Sequence, residues 1–223
     1  MRLAPAVSER SVRAAPEKSG KVPVFERNEA DLSPGMNQRR GRNVPLPTPE
    51  ESGPTPCPLT AVVVPTVPAE IPGYTELDPS TDLHMTGSWQ EIELEAYRLE
   101  ITGKVDRPLS LTYDELRCMP KVERRLVLVC PGFFEDTATW AGASLQRVLE
   151  LARVQLGVKR IKMRSADGYA VTVEWDEIPE DGFLAYEWED EPLPILHGFP
   201  VRAVFPEVYG NKWVKWLVEI EVY

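Results

Sequence analysis

Cysteine and histidine are scarce in this chain: three cysteines (Cys57, Cys118, Cys130) and two histidines (His84, His197) among 223 residues. Three irregularly spaced cysteines are too few for a disulfide framework, and with two histidines they do not make the four-ligand pattern of a zinc site. No run approaches the ~20 apolar residues that span a bilayer, and the N-terminus lacks the apolar stretch of a secretory signal. Arg39-Arg40 resembles the start of a twin-arginine export signal, but Gly41-Arg42-Asn43 and prolines stand where an apolar region should follow. The expectation is a cytoplasmic protein without a membrane span. Basic excess is missing too. A formal charge of -10 excludes a sequence-independent grip on nucleic acid, which needs clustered cations to displace counterions from phosphate.

Proline, in contrast, is plentiful and unevenly placed. Fourteen of the 22 prolines precede Ser80, and such a stretch donates too few backbone hydrogen bonds to offset its ordering entropy. Residues 1–56 hold nine Lys+Arg against seven Asp+Glu, a net of +2, so the remainder must carry -12 for the chain to total -10. The acidity therefore belongs to the folded part. We expect a largely irregular Pro-rich arm over 1–72 and one domain over 73–223.

From Tyr97 onward, short alternating segments predict a strand-rich α+β domain of mixed β-sheets with short helices. Strands are expected over 97–102, 109–111, 160–164, 169–174, 183–186, 201–205 and 214–222. Thr112 is placed to cap a short helix running to Cys118, with Asp114 and Glu115 at its positive end. A second helix is expected from about Ser144 to Ala152, where Leu145, Val148, Leu149 and Ala152 recur at helical spacing. The continuous apolar run Leu126-Val127-Leu128-Val129 predicts a strand buried on both faces, which delivers Cys130 to a Pro131-Gly132 loop.

Several residues there are suited to chemistry. Cys130, at the junction of strand and loop, offers a soft thiolate to a transition metal; the plain alternative is a small buried hydrophobe, and a cysteine nucleophile would have only His197 as base. Arg202 interrupts the apolar stretch Pro200-Val201-Arg202-Ala203-Val204-Phe205, so its guanidinium needs an anion unless it faces water from an edge strand. Lys212 and Lys215 flank Trp213 beside the Gly210 turn, a combination that serves as a phosphate cradle or as cation-π contacts on the surface. Asp167-Gly168, after Ser165, reads as a hairpin turn.

Taken in order, these segments resemble the molybdopterin-binding domain of the sulfite oxidase family. Val129-Cys130-Pro131-Gly132 followed by Trp140-Ala141-Gly142-Ala143-Ser144-Leu145 is similar to that family's cysteine loop and W-x-G-x-x-L helix entry. Ser165-Ala166-Asp167-Gly168-Tyr169 resembles its central hairpin. Leu184-Ala185-Tyr186-Glu187, Glu191-Pro192-Leu193-Pro194 and His197-Gly198-Phe199-Pro200-Val201-Arg202 resemble its most specific block, and Gly210 to Leu217 resembles the V-K-W-L segment that follows.

The resemblance implies one Mo-molybdopterin per chain, with two dithiolene sulfurs and Cys130 as a third ligand. Ser165, His197, Arg202, Lys212, Trp213, Val214 and Lys215 would contact the pterin and its phosphate. It further implies two-electron oxygen-atom transfer on a small oxyanion, sulfoxide or similar molecule, with electrons exchanged with a separate redox carrier. The chain departs from the family before its first strand. Leu83-His84-Met85-Thr86 lacks the Arg-Asn-His motif that precedes the first strand, and His84 is the residue available to stand in for its histidine. A cofactor-free interaction module that kept the fold is the alternative reading.

Overall fold

The computed structural model describes Cys57 and residues 59–223. Most of the expected arm therefore lies outside the described residues. Its last part, 59–72, has neither helix nor strand, yet Val62 and Val67 pack against the core. Arg117 donates to the Thr60 carbonyl, and Cys57 is joined to Cys118 in a disulfide. That bridge corrects the sequence expectation. Three cysteines make no framework, but one pair suffices to staple a segment, and partners 61 residues apart leave no local signal.

In chain order the elements are β1 (Leu77–Asp78), β2 (Leu83–His84), β3 (Leu99–Gly103), β4 (Leu109–Leu111), α1 (Tyr113–Arg117), β5 (Lys121–Cys130) and β6 (Phe134–Ser144). There follow α2 (Leu145–Ala152), β7 (Arg160–Ser165), β8 (Ala170–Glu174), β9 (Phe183–Trp188), β10 (Glu191–Pro192), β11 (Arg202–Val204) and β12 (Leu217–Val222). The result is the expected α+β architecture of mixed sheets and short helices.

One five-stranded sheet has the order β4-β3-β12-β7-β8, with β12 parallel to β3 and antiparallel to β7. Ile101, Ile161, Met163 and Ile220 are fully buried on its inner face, while Arg164 on the outer face pairs with Glu219 and Glu221. That period-two division puts one face in the core and one in water. The helices obey their local signals: Thr112 and Glu115 close a capping box on α1, and Ser144 caps α2, whose Leu145, Val148, Leu149 and Ala152 face inward.

β1 and β2 form a separate antiparallel hairpin, and the second five-stranded sheet runs β10-β9-β6-β5, with β11 also pairing with β9. Here two expectations are overturned. First, β5 is not buried on both faces: it is an edge strand that pairs only with β6, with Leu128 turned inward and Val127 49% exposed. Second, the expected loop between Cys130 and Ser144 is short, because Phe134–Ser144 forms an eleven-residue strand. Its inward positions include Asp136, Ala138 and Trp140, and a carboxylate among them conceals the apolar alternation by which a strand is read.

Candidate functional site

The β5–β6 hairpin builds one wall of the site. Cys130 pairs with Phe134 and Leu128 with Asp136. Paired residues share a sheet face, so these four project together, and all four line one cavity of about 290 Å³. The connection turns at Gly132, whose φ of 80° is costly for any residue with a Cβ. Cys130 is the free cysteine and is half-buried. Burial, and then the nearby Asp136 charge, push its thiol above the ordinary cysteine range.

The opposite wall comes from the C-terminal third. Arg202, on β11, is 3% exposed. It donates to the carbonyls of His197 (3.1 Å) and Trp213 (3.4 Å), and its guanidinium lies 4.6 Å from the Trp140 ring centroid. Its Nε has no partner, nor does Trp140 Nε1. Burial lowers its pKa to about 9, partly countered by Asp136. Lys215 is also buried; its Nζ donates to the Leu196 carbonyl at 2.9 Å and sits 4.8 Å from the Trp216 ring. Burial and then Arg202 pull it well below the usual lysine range. Neither cation is hydrogen-bonded to a carboxylate among the described residues.

His197 is 1% exposed, and its Nε2 lies 3.0 Å from both Asp78 Oδ2 and Thr81 Oγ1. Burial and then Lys215 lower its pKa to about 3. The ring is therefore neutral, and its contact with Asp78 is a hydrogen bond rather than an ion pair. The Asp78 carboxylate assigns the proton to Nε2 and leaves Nδ1 as an acceptor. Ser165, at the end of β7, lines the same cavity with Trp213 and Val214.

His84 lines the cavity from β2. Its backbone N–H and Nδ1 both engage Asp136, at 2.8 Å and 2.6 Å, and its ring stacks on Phe134 with centroids 4.4 Å apart. Lys212 departs from expectation: it is not among the cavity residues, and its Nζ donates to the Thr172 carbonyl of β8 at 2.8 Å. The short 3-10 turn over Gly210–Lys212 directs Lys212 to β8, while Trp213 and Lys215 face the cavity.

Sequence reading missed Asp136, Asp78, Thr81 and Trp140 as site residues. For the first and last a signal existed. Pro131-Gly132 after an apolar strand is a hairpin cue, and the returning strand would have carried both.

The chemistry of this lining fits an anionic cofactor with a metal at one end. Two desolvated cations and an orphaned Nε call for an anion, and a free thiol in the same cavity offers one soft donor. Among the described residues no group of three or more His, Cys, Asp or Glu could hold a metal by itself. A metal beside Cys130 would therefore take most of its donors from elsewhere, as a dithiolene would provide.

Comparison with known proteins identifies the family of this domain. Residues 86–223, more than half of the chain, match the family model for the oxidoreductase molybdopterin binding domain. The uncharacterized oxidoreductase YuiH of Bacillus subtilis is 29% identical over 131 residues, covering 58% of this chain and 66% of that protein. The mitochondrial sulfite oxidase of Macaca fascicularis is 35% identical over 162 residues, 59% of this chain and 30% of that one. The NADH nitrate reductase of Volvox carteri is 31% identical over 170 residues, 61% of this chain and 20% of its own. Among solved structures, the sulfane dehydrogenase SoxCD from Paracoccus pantotrophus superposes with a TM-score of 0.58 at 25% identity, over 61% of this chain and 40% of that chain. The chain thus spans less than two thirds of each of these relatives. With Cys130, Arg202 and Lys215 all inside the matched region, the chain belongs to the oxidoreductase molybdopterin-binding domain family.

Proposed function

We propose that the cavity binds one Mo-molybdopterin with Cys130 as the protein's sulfur ligand, and that the chain is an oxidoreductase of the sulfite oxidase type. The observation that carries this reading is the presence, in one cavity, of the free thiol and two buried cations without carboxylate partners. When bound, the cofactor supplies a two-electron change coupled to oxygen-atom transfer, on a small-molecule substrate and with a separate electron carrier.

The chain's own residues do the rest. Arg202 and Lys215 would meet the cofactor's phosphate, which recovers the desolvation cost of both cations. His197, held by Asp78, presents Nδ1 as an acceptor; Ser165 and the Trp213–Lys215 segment complete the cradle. Trp140 and Trp213 exclude water around the guanidinium, which strengthens its hold on an anion. Cys130 must lose its proton to ligate a metal. The Cys57–Cys118 bridge favours an oxidising compartment over the cytoplasm expected from sequence.

The test is molybdenum analysis of the full chain produced in a host that makes the cofactor. We expect about one atom per chain, and Cys130→Ser to keep the melting temperature of the cofactor-free protein while lowering turnover by about 100-fold or more. Protein free of molybdenum, or indifferent to Cys130→Ser, points instead to a non-catalytic module that retains the fold.

A further inference from the structure

The 195–197 turn, whose carbonyls bind both buried cations, also helps to line a second cleft of about 290 Å³. Its floor and walls are apolar. Ile195 and Phe199 come from the turn and the residues after it, Ile92 and Leu94 from the stretch before β3, and Val64 from the segment that the Cys57–Cys118 bridge holds down. Val64 is 51% exposed and its neighbour Val63 81%, so the apolar surface continues outward over the lip. Glu91, Glu93 and Glu95 line the same cleft and are exposed. In Glu91-Ile92-Glu93-Leu94-Glu95 acidic and apolar residues alternate, and the two apolar ones are half-buried while the carboxylates stand in water.

Neither lysine nor arginine lines this cleft. Arg98, three residues past Glu95, donates to the Glu95 and Tyr97 carbonyls rather than to a carboxylate. Three uncancelled negative charges around an apolar patch repel a second copy of the same face and attract a cationic one. The cleft is also joined to the cofactor cavity. Trp216 lines that cavity, donates from Nε1 to the Ile195 carbonyl at 2.8 Å, and packs in one cluster with Ile92. Ile195 and Ile92 both face the cleft, so one indole and one turn of backbone stand between the two spaces. A partner seated over Ile195 and Phe199 therefore comes within one side chain of the cavity without entering it.

Resting on the function proposed above, we infer that this cleft is the docking face for the electron carrier, and that the carrier is a protein whose lysines ring an apolar patch. Two electrons per turnover pass between cofactor and carrier, one gaining what the other loses, and no bond forms at the cleft. Exposed carboxylates steer a partner more than they hold it, and a contact of this extent suits the small interfaces of transient redox pairs. The complex is therefore fast, weak and sensitive to salt.

The probe is cytochrome c, a lysine-rich haem protein, titrated into the 15N-labelled full chain isolated without cofactor. Lysine-acetylated cytochrome c is the control of equal shape. At low ionic strength we expect amide shifts concentrated at residues 64, 91–95, 195 and 199. The affinity should fall about tenfold or more in about 0.2 M salt, and the acetylated protein should leave the shifts unmoved. Glu91→Gln, Glu93→Gln and Glu95→Gln together should weaken binding about tenfold at unchanged melting temperature, because all three side chains are exposed. The whole domain is acidic, so location decides: binding that maps to another face, or that survives the triple substitution, overturns the inference. An oligolysine that binds the same residues as tightly as cytochrome c shows that charge alone is read and overturns the carrier assignment. Molybdenum analysis is independent of this titration. Molybdenum present with binding elsewhere refutes the docking face alone; molybdenum absent refutes the cofactor reading and the carrier role with it, whatever the shifts.

Discussion

Arg202 is a buried cation with no carboxylate hydrogen-bonded to it. Its guanidinium is buried, shares two backbone carbonyls, leans on the Trp140 and Trp213 rings, and leaves Nε unpaired. Carbonyls and ring faces recover part of the desolvation of a charge, but an unpaired buried ion is a net cost to the fold. The cofactor-free protein should therefore tolerate Arg202→Met, with a melting temperature unchanged or raised by about 2–4 °C. The same variant should fail to retain molybdenum after gel filtration. A large drop in melting temperature would mean that Arg202 is a structural residue.

Among the elements, β6 carries the most. It presents Asp136 and Trp140 to the cavity, pairs with β5 to deliver Cys130, and pairs with β9 on its other side. The β6–β9 register shifts between Ala141 and Gly142, and a Cβ at Gly142 would collide with the Leu184 backbone of β9. Backbone cannot move aside as a side-chain tip can, so Gly142→Ala must part the strands. We expect a loss of about 3 kcal/mol or more, read as a lowered urea midpoint or as loss of soluble protein. The elements differed in how legible they were. Helix α2 could be read because its cap and its 3.6-residue periodicity are local; β6 could not, because Asp136 occupies an inward position and its partner His84 lies 52 residues away. The apolar run in β5 misled for a related reason. Local hydrophobicity does not say whether a strand has neighbours on one side or two.

For the molecule as a whole, the Cys57–Cys118 bridge ties residues 59–72 to the domain near α1, with Val62 and Val67 packed on the core. A cross-link closing 61 residues stabilises mainly by restricting the unfolded chain, by about 2–4 kcal/mol. Cys118→Ser, or a reductant added to wild type, should therefore lower the melting temperature by about 5–15 °C. Equal melting with and without dithiothreitol would show that the bridge is not formed in solution. The family match begins at residue 86, yet Asp78, Thr81 and His84 lie before it and contact His197 and Asp136 inside it. The β1–β2 hairpin thus contributes to the candidate site although it lies before the matched residues.

What the amino-acid order determined by itself was local or carried by motif: the caps of α1 and α2, Cys130 at the end of a strand, the charge anomaly of Arg202, and the run from His197 to Leu217 that resembles a known family. Tertiary structure alone decided which of these meet. It turned Lys212 away while turning Lys215 inward, and brought His84 to Asp136 across 52 residues, Asp78 to His197 across 119 and Cys57 to Cys118 across 61. Such pairings depend on strand register and sheet order, which are settled by burial over the whole core rather than by any short stretch of chain.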